Sequence, residues 1–254
     1  VTLDLESVEM ITDIDTEVGT FNWTCPDTSG NWQIIAVYSM PVGSNPIGSV
    51  EVGAEGEESY MVDALNYAAC INFYKNWLAL LEPIMQYTED GTLRAAFNDS
   101  YEFFAQRTYT DGILETFKEI NQYDISEYLP TLLMPARDQV ANFFLPDRAA
   151  EYAFEDVDGD GINERINYDY DRAVGESILN GWLQASADTF AENPLLFRQQ
   201  SYNPPMDRIR AASYADIPEA ENNTVNTNKV IASGAHIYDK NTLSAETFVF
   251  FTDE

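Results

Sequence analysis

From residue 63 to residue 246 two patterns take turns along this chain, and their alternation restricts the fold more than any other feature of it. Leu65, Ala69, Phe73, Trp77 and Leu81 recur four apart up to Glu82-Pro83, the spacing of one face of a long helix. The run Arg94-Ala-Ala-Phe-Asn-Asp99 follows, apolar for three residues and then abruptly polar. A buried parallel strand reads this way where it delivers side chains to the rim of an α/β barrel. A helix is expected around 112–121 with Ile113, Phe117 and Ile120 inward. A short helix capped by Ser126 is then expected to end at Leu129-Pro130. Another helix is expected over 171–191, with Asp171 as its cap and Val174, Ile178, Trp182 and Ala185 on one face. Strand-like runs at 195–201, 211–217, 229–232 and 243–246 complete the series. Helices alternating with short apolar strands predict an α/β fold with right-handed crossovers, a partial or complete (β/α)8 TIM-barrel-like catalytic domain.

Residues 1–60 read as a β-rich opening stretch. Strands are expected at 7–12, 20–24 and 32–38, the last the most apolar and the best match to a buried barrel strand. The Gly- and Glu-rich residues 48–59 read as loop. One domain or fragment is expected over 1–254, with an acidic insertion at 151–171. The chain begins Val-Thr-Leu and ends shortly after a strand-like run, as a piece of something longer would.

The charge narrows the partners. Thirteen basic residues stand against 43 acidic ones, a net charge of −30. Such a field repels nucleic acid and anionic membrane and tolerates a neutral sugar or a calcium ion. Only four lysines (Lys75, Lys118, Lys229 and Lys240) accompany it, which suits saline water and a secreted or periplasmic protein. With 14 Phe, 15 Tyr and 4 Trp the chain has apolar surface enough for a core. Cys25 and Cys70 permit at most one disulfide, and Cys70, inside an apolar helical run, is expected to be a buried free thiol. A single histidine, His236, excludes a His-rich zinc site. No Gly-x-Ser-x-Gly elbow, Walker loop or Gly-x-Gly-x-x-Gly loop is present.

Two glutamates at strand ends supply what glycoside hydrolysis needs, one as acid and one as base or nucleophile. Glu102 follows Asn98-Asp99-Ser and precedes Phe103-Phe104. It is either a surface glutamate or a general acid whose pKa an apolar setting raises. Glu246 stands among Ala245, Phe248 and Val249 with no basic residue after it, and a carboxylate so placed is usually paired or functional. Asp216, Glu219 and Glu221 gather around Pro218, either as a solvated acidic loop or as a site for sugar hydroxyls or calcium. Asp99, His236 and Tyr202, the last flanked by Gln199, Gln200 and Asn203, are further candidates for substrate contact.

The most specific local pattern is Asp156-Val-Asp158-Gly-Asp160-Gly161-Ile162-Asn-Glu164. Carboxylates at positions 1, 3 and 5, glycine at 6 and the Ile162 carbonyl at 7 follow a calcium loop, with Glu164 adding a carboxylate. Position 12 is Asn167, where an EF-hand carries glutamate, so Asp169 or Asp171 would have to close the shell. A structural calcium clip is the expected role.

Several segments together resemble the α-L-rhamnosidase family of glycoside hydrolases, family 106. They are the stretch from Trp23-Thr-Cys-Pro to Ala-Val-Tyr38, Tyr60-Met-Val-Asp63-Ala-Leu, Phe97-Asn-Asp-Ser-Tyr-Glu102 and Tyr123-Asp-Ile-Ser-Glu-Tyr-Leu-Pro130, followed by Tyr168-Asp-Tyr-Asp-Arg172, Gln199-Gln-Ser-Tyr202, Asp216-Ile-Pro-Glu-Ala-Glu221 and Ser244-Ala-Glu-Thr-Phe248. The resemblance implies a (β/α)8 barrel, a calcium-assisted inverting mechanism and terminal rhamnose, borne by an oligosaccharide or polysaccharide, as substrate. It implies Glu102 as general acid and Glu246 as general base, with Glu219, Glu221 and Asp63 around the substrate or calcium. The 156–164 loop reads as an insertion, and the family's early barrel strands as lying upstream of Val1. Two readings of other classes stand beside it: a catalytically incomplete carbohydrate-binding fragment, and a calcium-dependent structural module.

Overall fold

A computed structural model describes residues 1–27, 30–39, 60–99, 101, 107–132, 152–201, 204–221 and 225–246. The opening stretch carries little regular structure. Strands β1 (Thr2–Leu3), β2 (Ile14–Asp15) and β3 (Thr20–Phe21) are two residues each, and β2 pairs antiparallel with β3. The strands expected at 7–12 and 32–38 do not form. Among the described residues no strand pairs with residues 32–38, and Ile34, Val37 and Tyr38 are exposed. An apolar run becomes a barrel strand only when neighbours take up its backbone hydrogen bonds and cover its faces.

Helix α1 (Tyr67–Leu81) is capped by Asn66, whose side chain accepts from the Ala69 N–H. Its buried face is Cys70 and Tyr74, one residue round from the expected stripe, and Phe73 is partly exposed. Tyr74, Trp77 and Trp182 pack with Phe190 and Phe73 in an aromatic cluster. Strand β4 (Ala95–Asn98) follows, then α2 (Ile113–Asn121), which buries Ile113 and Phe117 as expected. Ser126 does not cap the next turn. Asp124 does, its carboxylate accepting from the Ser126 N–H and hydroxyl, before the short α3 (Leu129–Leu132).

Strand β5 (Ala153–Phe154) pairs parallel with β1. Helix α4 (Ile162–Ile178) starts nine residues before the expected boundary, so Asp171 lies inside it. It runs through a π-helical turn at Leu179–Leu183 into α5 (Gln184–Ala191). In this turn the Trp182 N–H donates to the Ala64 carbonyl at 2.9 Å. A Cβ on Gly181 would stand 2.6 Å from that same oxygen, and one on Gly175 would stand 2.2 Å from the Pro205 carbonyl. Glycine is required at both close approaches.

The remaining elements are β6 (Leu196–Gln200), α6 (Arg208–Tyr214), β7 (Ile217–Glu221), α7 (Val225–Ile237) and β8 (Ser244–Glu246). Two of the expected strands are helices. Residues 211–217 lie mostly in α6, because Asp207 accepts from the N–H groups of Ile209 and Arg210 and so starts a helix. Residues 229–232 lie in α7, where Ile231, Gly234 and Ala235 supply the buried face at helical spacing. Both segments are too short for their β-branched or apolar content to outweigh the packing of these helices against each other and against β7.

Four strands form one parallel sheet in the order β4-β6-β7-β8, with helices between them in sequence. The architecture is therefore α/β, as the alternation predicts. One face of the sheet carries Ala96, Phe197 and Ala220, all buried, with Phe197 stacked on Phe190 of α5 at 5.3 Å. Burying a side chain such as Phe197 or Phe117 contributes about 1.5–3 kcal/mol each. Among the described residues no helix is long and apolar enough to cross a membrane.

Both cysteines are free, Cys25 exposed and Cys70 fully buried. Burial, and then the negative charge of Asp63, pushes the Cys70 thiol up to about 12. The thiolate is the reactive form, so Cys70 is inert in the folded state. Mass spectrometry after iodoacetamide treatment at neutral pH is therefore expected to show one adduct, at Cys25, with a second appearing only in denaturant. Two adducts on the native protein would show that α1 does not cover Cys70 as described.

Candidate active site

In a parallel sheet, residues paired across strands point the same way. Phe97 pairs with Arg198, Gln200 with Glu219, Glu219 with Ser244, and Glu221 with Glu246. The pairing puts Phe97, Arg198, Gln200, Glu219, Glu221, Ser244 and Glu246 on one face, opposite the helices. Three carboxylates thus converge on the carboxyl-terminal halves of neighbouring strands, where α/β enzymes build their sites.

The three are not equivalent. Glu219 is completely buried, and its Oε2 takes an ion pair from Arg198 and a hydrogen bond from the Ser244 hydroxyl. Arg198 Nε also donates to Ser244 Oγ at 3.2 Å, and the guanidinium lies 4.2 Å from the centroid of the Phe97 ring. Glu221 is nearly buried. Glu246 is half-buried, and its Oε2 accepts from Gln200 Nε2 at 2.7 Å. The same amide nitrogen lies 3.5 Å from Glu219 Oε1. A carboxylate that is partly open and held from one side by a neutral donor can take a proton from a bound molecule. One that is itself buried and paired with a partly exposed guanidinium is tied to the scaffold.

The other expected site residues fall in different places. Asp99 is exposed just past the end of β4, where its carbonyl accepts from Asn98 Nδ2. Asp63 sits on the helix layer: its carboxylate accepts from Thr110 Oγ1 at 2.6 Å and from the Leu65 N–H at 3.0 Å, and the adjoining Ala64 carbonyl is bound by the π turn. Those bonds hold a turn together. His236 is exposed in the last turn of α7. That helix returns the chain to the start of β8, so His236 is carried to the opposite end of the strands from Glu221 and Glu246. Glu102 and Tyr202 lie outside the described residues, as does the expected loop at 48–59.

The 156–164 loop lies at the surface. Asp156, Asp158, Asp160 and Glu164 are all exposed. The Asp156 carboxylate accepts from the N–H groups of Asp160 and Gly161, and Asp160 pairs with Arg165 at 2.9 Å. Ile162, expected at position 7, is the first residue of α4. No group of three or more His, Cys, Asp or Glu side chains is arranged to hold a metal ion among the described residues.

Arg198, Gln200 and Ser244 are the members of this face that sequence reasoning passed over. Their signal is alternation: Arg198 and Gln200 stand two apart in a strand that otherwise reads as core, the spacing of one sheet face.

A family model described as alpha-L-rhamnosidase, glycoside hydrolase family 106, matches residues 1–253. The chain belongs to this family. The solved structure of a rhamnosidase from Novosphingobium sp. PP1Y is similar in fold over 74% of the chain, with a TM-score of 0.51 and 21% identity. A protein of Formosa agariphila described as "Putative beta-glucuronidase" is 23% identical over 240 residues, 91% of the chain. The chain spans 17% of the length of the first and 18% of the second, so it corresponds to a segment of these larger relatives.

Proposed function

We propose that this chain contributes the general base of a glycosidase that releases terminal L-rhamnose with inversion, within a (β/α)8 barrel to which the four-stranded sheet belongs. The observation that carries this reading is the contrast between Glu246, partly open and held by one amide, and Glu219, buried and neutralised by Arg198. In the step proposed, Glu246 takes a proton from water while the water oxygen bonds to the anomeric carbon. The bond to the departing oxygen breaks on the other face of the ring, and Glu102 gives that oxygen its proton. An inverting pair stands roughly 6.5–9.5 Å apart, leaving room for the water.

A neutral sugar suits the charge on this face. Among the described strand residues of this face Arg198 is the basic one, and its guanidinium is taken by Glu219, so these residues offer a sugar carboxylate no uncommitted cation. The expected result with a panel of aryl glycosides is release from an aryl α-L-rhamnoside and none from an aryl β-D-glucuronide, and the first product seen by proton NMR has inverted anomeric configuration. Release from the glucuronide alone would overturn the substrate assignment, and a retained anomer would overturn the mechanism.

A further inference from the structure

We propose that Gln200 is the positioning residue for Glu246, fixing the carboxylate that the reading above makes the general base. Gln200 is buried, in an interior strand of the sheet between β4 and β7. Glu246 stands two strands away, about 9–10 Å across the sheet, so two long side chains must reach towards each other for contact. They meet at 2.7 Å. Both atoms near the amide, Glu246 Oε2 and Glu219 Oε1, are carboxylate oxygens, so the end turned towards them is the nitrogen. Asparagine, one methylene shorter, does not span this gap, and a hydrocarbon of the same length would touch both carboxylates without holding either.

The orientation has a visible cost. With its nitrogen given to the two carboxylates, the Gln200 Oε1 is buried with no hydrogen-bond partner among the described residues. A glutamine present only to complete the core would be expected to satisfy both ends, since an unpaired buried acceptor opposes folding. Leaving one end orphaned is consistent with selection for what the other end does. Arg198 and Ser244 complete the arrangement on the same face: they pin Glu219, whose Oε1 lies 3.5 Å from the Gln200 amide nitrogen. Positions on strands hold such geometry better than positions on loops, and a misplacement of about 1 Å in a reacting group can cost on the order of 100-fold in rate.

The test is a set of rate measurements on an aryl α-L-rhamnoside, with circular dichroism and a thermal melt for each variant. Gln200→Leu is expected to lower kcat about 10–100-fold with KM little changed. Gln200→Glu keeps the shape but replaces the donor by an acceptor, facing Glu219, Glu246 and Glu221 with Arg198 on the same face. Its rate is expected to rise as pH falls and the new carboxyl takes a proton, a profile that a merely structural role would not produce. In a Glu246→Gln background, Gln200→Leu is expected to lower the remaining rate no further, because the group it positions is gone. Wild-type kcat in Gln200→Leu overturns the proposal, as does a full additional loss in the Glu246→Gln background. If Gln200→Leu does not fold, Gln200→Glu carries the test through its pH profile, and a flat profile overturns the proposal. If Glu246→Gln alone retains wild-type turnover, the base assignment itself is what fails, a result distinct from failure of Gln200.

Discussion

Glu246→Gln is expected to lower turnover of an aryl α-L-rhamnoside by about 10²–10⁴-fold, the usual contribution of a positioned acid or base, while the protein melts as before. The substitution preserves shape and removes the one property the mechanism needs, an oxygen able to accept and keep a proton. Glu246 is half-buried in the last described strand, and Gln200 is its hydrogen-bond partner there. Its neutralisation therefore leaves no charge stranded in the core. Initial rates and a thermal melt on the same preparation separate chemistry from stability. A variant that turns over at the wild-type rate would remove Glu246 from the mechanism. One that unfolds would show that the side chain belongs to the scaffold.

Arg198→Met is expected to do the reverse, destabilising the fold by about 3 kcal/mol, the lower end of what breaking a buried ion pair costs. The lower end applies because the Arg198 side chain is 36% exposed, while that of Glu219 is 0% exposed. Methionine keeps much of the aliphatic volume and removes the charge. Glu219 would then keep the Ser244 hydroxyl and the more distant Gln200 amide, too little to offset burial of a carboxylate. The cation–π contact with Phe97 is lost as well, about 0.5–1 kcal/mol. Adding Glu219→Leu to Arg198→Met should recover part of the loss, because an apolar pair of similar volume is often tolerated where half an ion pair is not. Urea unfolding of the two variants decides it. An unchanged midpoint for Arg198→Met would mean that solvent compensates Glu219, and that the burial described here overstates its isolation.

What could be read from residues alone divides along physical lines. The α/β alternation was legible because it rests on long periodic segments: α2 buries Ile113 and Phe117 as expected, and β4, β6 and β8 lie where apolar runs turn polar. Glu246 was legible as charge at a strand end, whereas Glu219 and Glu221 stood out only as an acidic cluster around Pro218, and the strand that carries them was not expected. Short segments were not. Residues 211–217 and 229–232 are ambiguous between helix and strand until Asp207 caps one and α6 packs against the other. Residues 32–38 have strand composition but, among the described residues, no strand neighbours, a fact about the rest of the molecule. The turn that Asp63 secures was not legible, because its partners Thr110 and Leu65 are set by tertiary packing and by the local backbone. In the Asp156–Glu164 pattern the boundary of α4 was not legible: the helix begins at Ile162, inside the pattern. Gln200 could be seen as one of two adjacent glutamines, but its partner is 46 residues further on.

The π turn at Leu179–Leu183 bears on the whole helix that contains it. Such a turn holds one residue more than α geometry needs, and each residue rotates the axis by about 100°. The extra residue is therefore a phase shifter. Upstream, Ile166, Tyr170 and Val174 point into one set of neighbours; downstream, Ala185, Ser186 and Phe190 point into another, including the ring of Phe197 behind the active sheet. A straight helix of the same composition could satisfy either half but not both. The aim of the sheet's supporting layer thus depends on a single inserted amino acid, held in place where the backbone of Trp182 clasps that of Ala64.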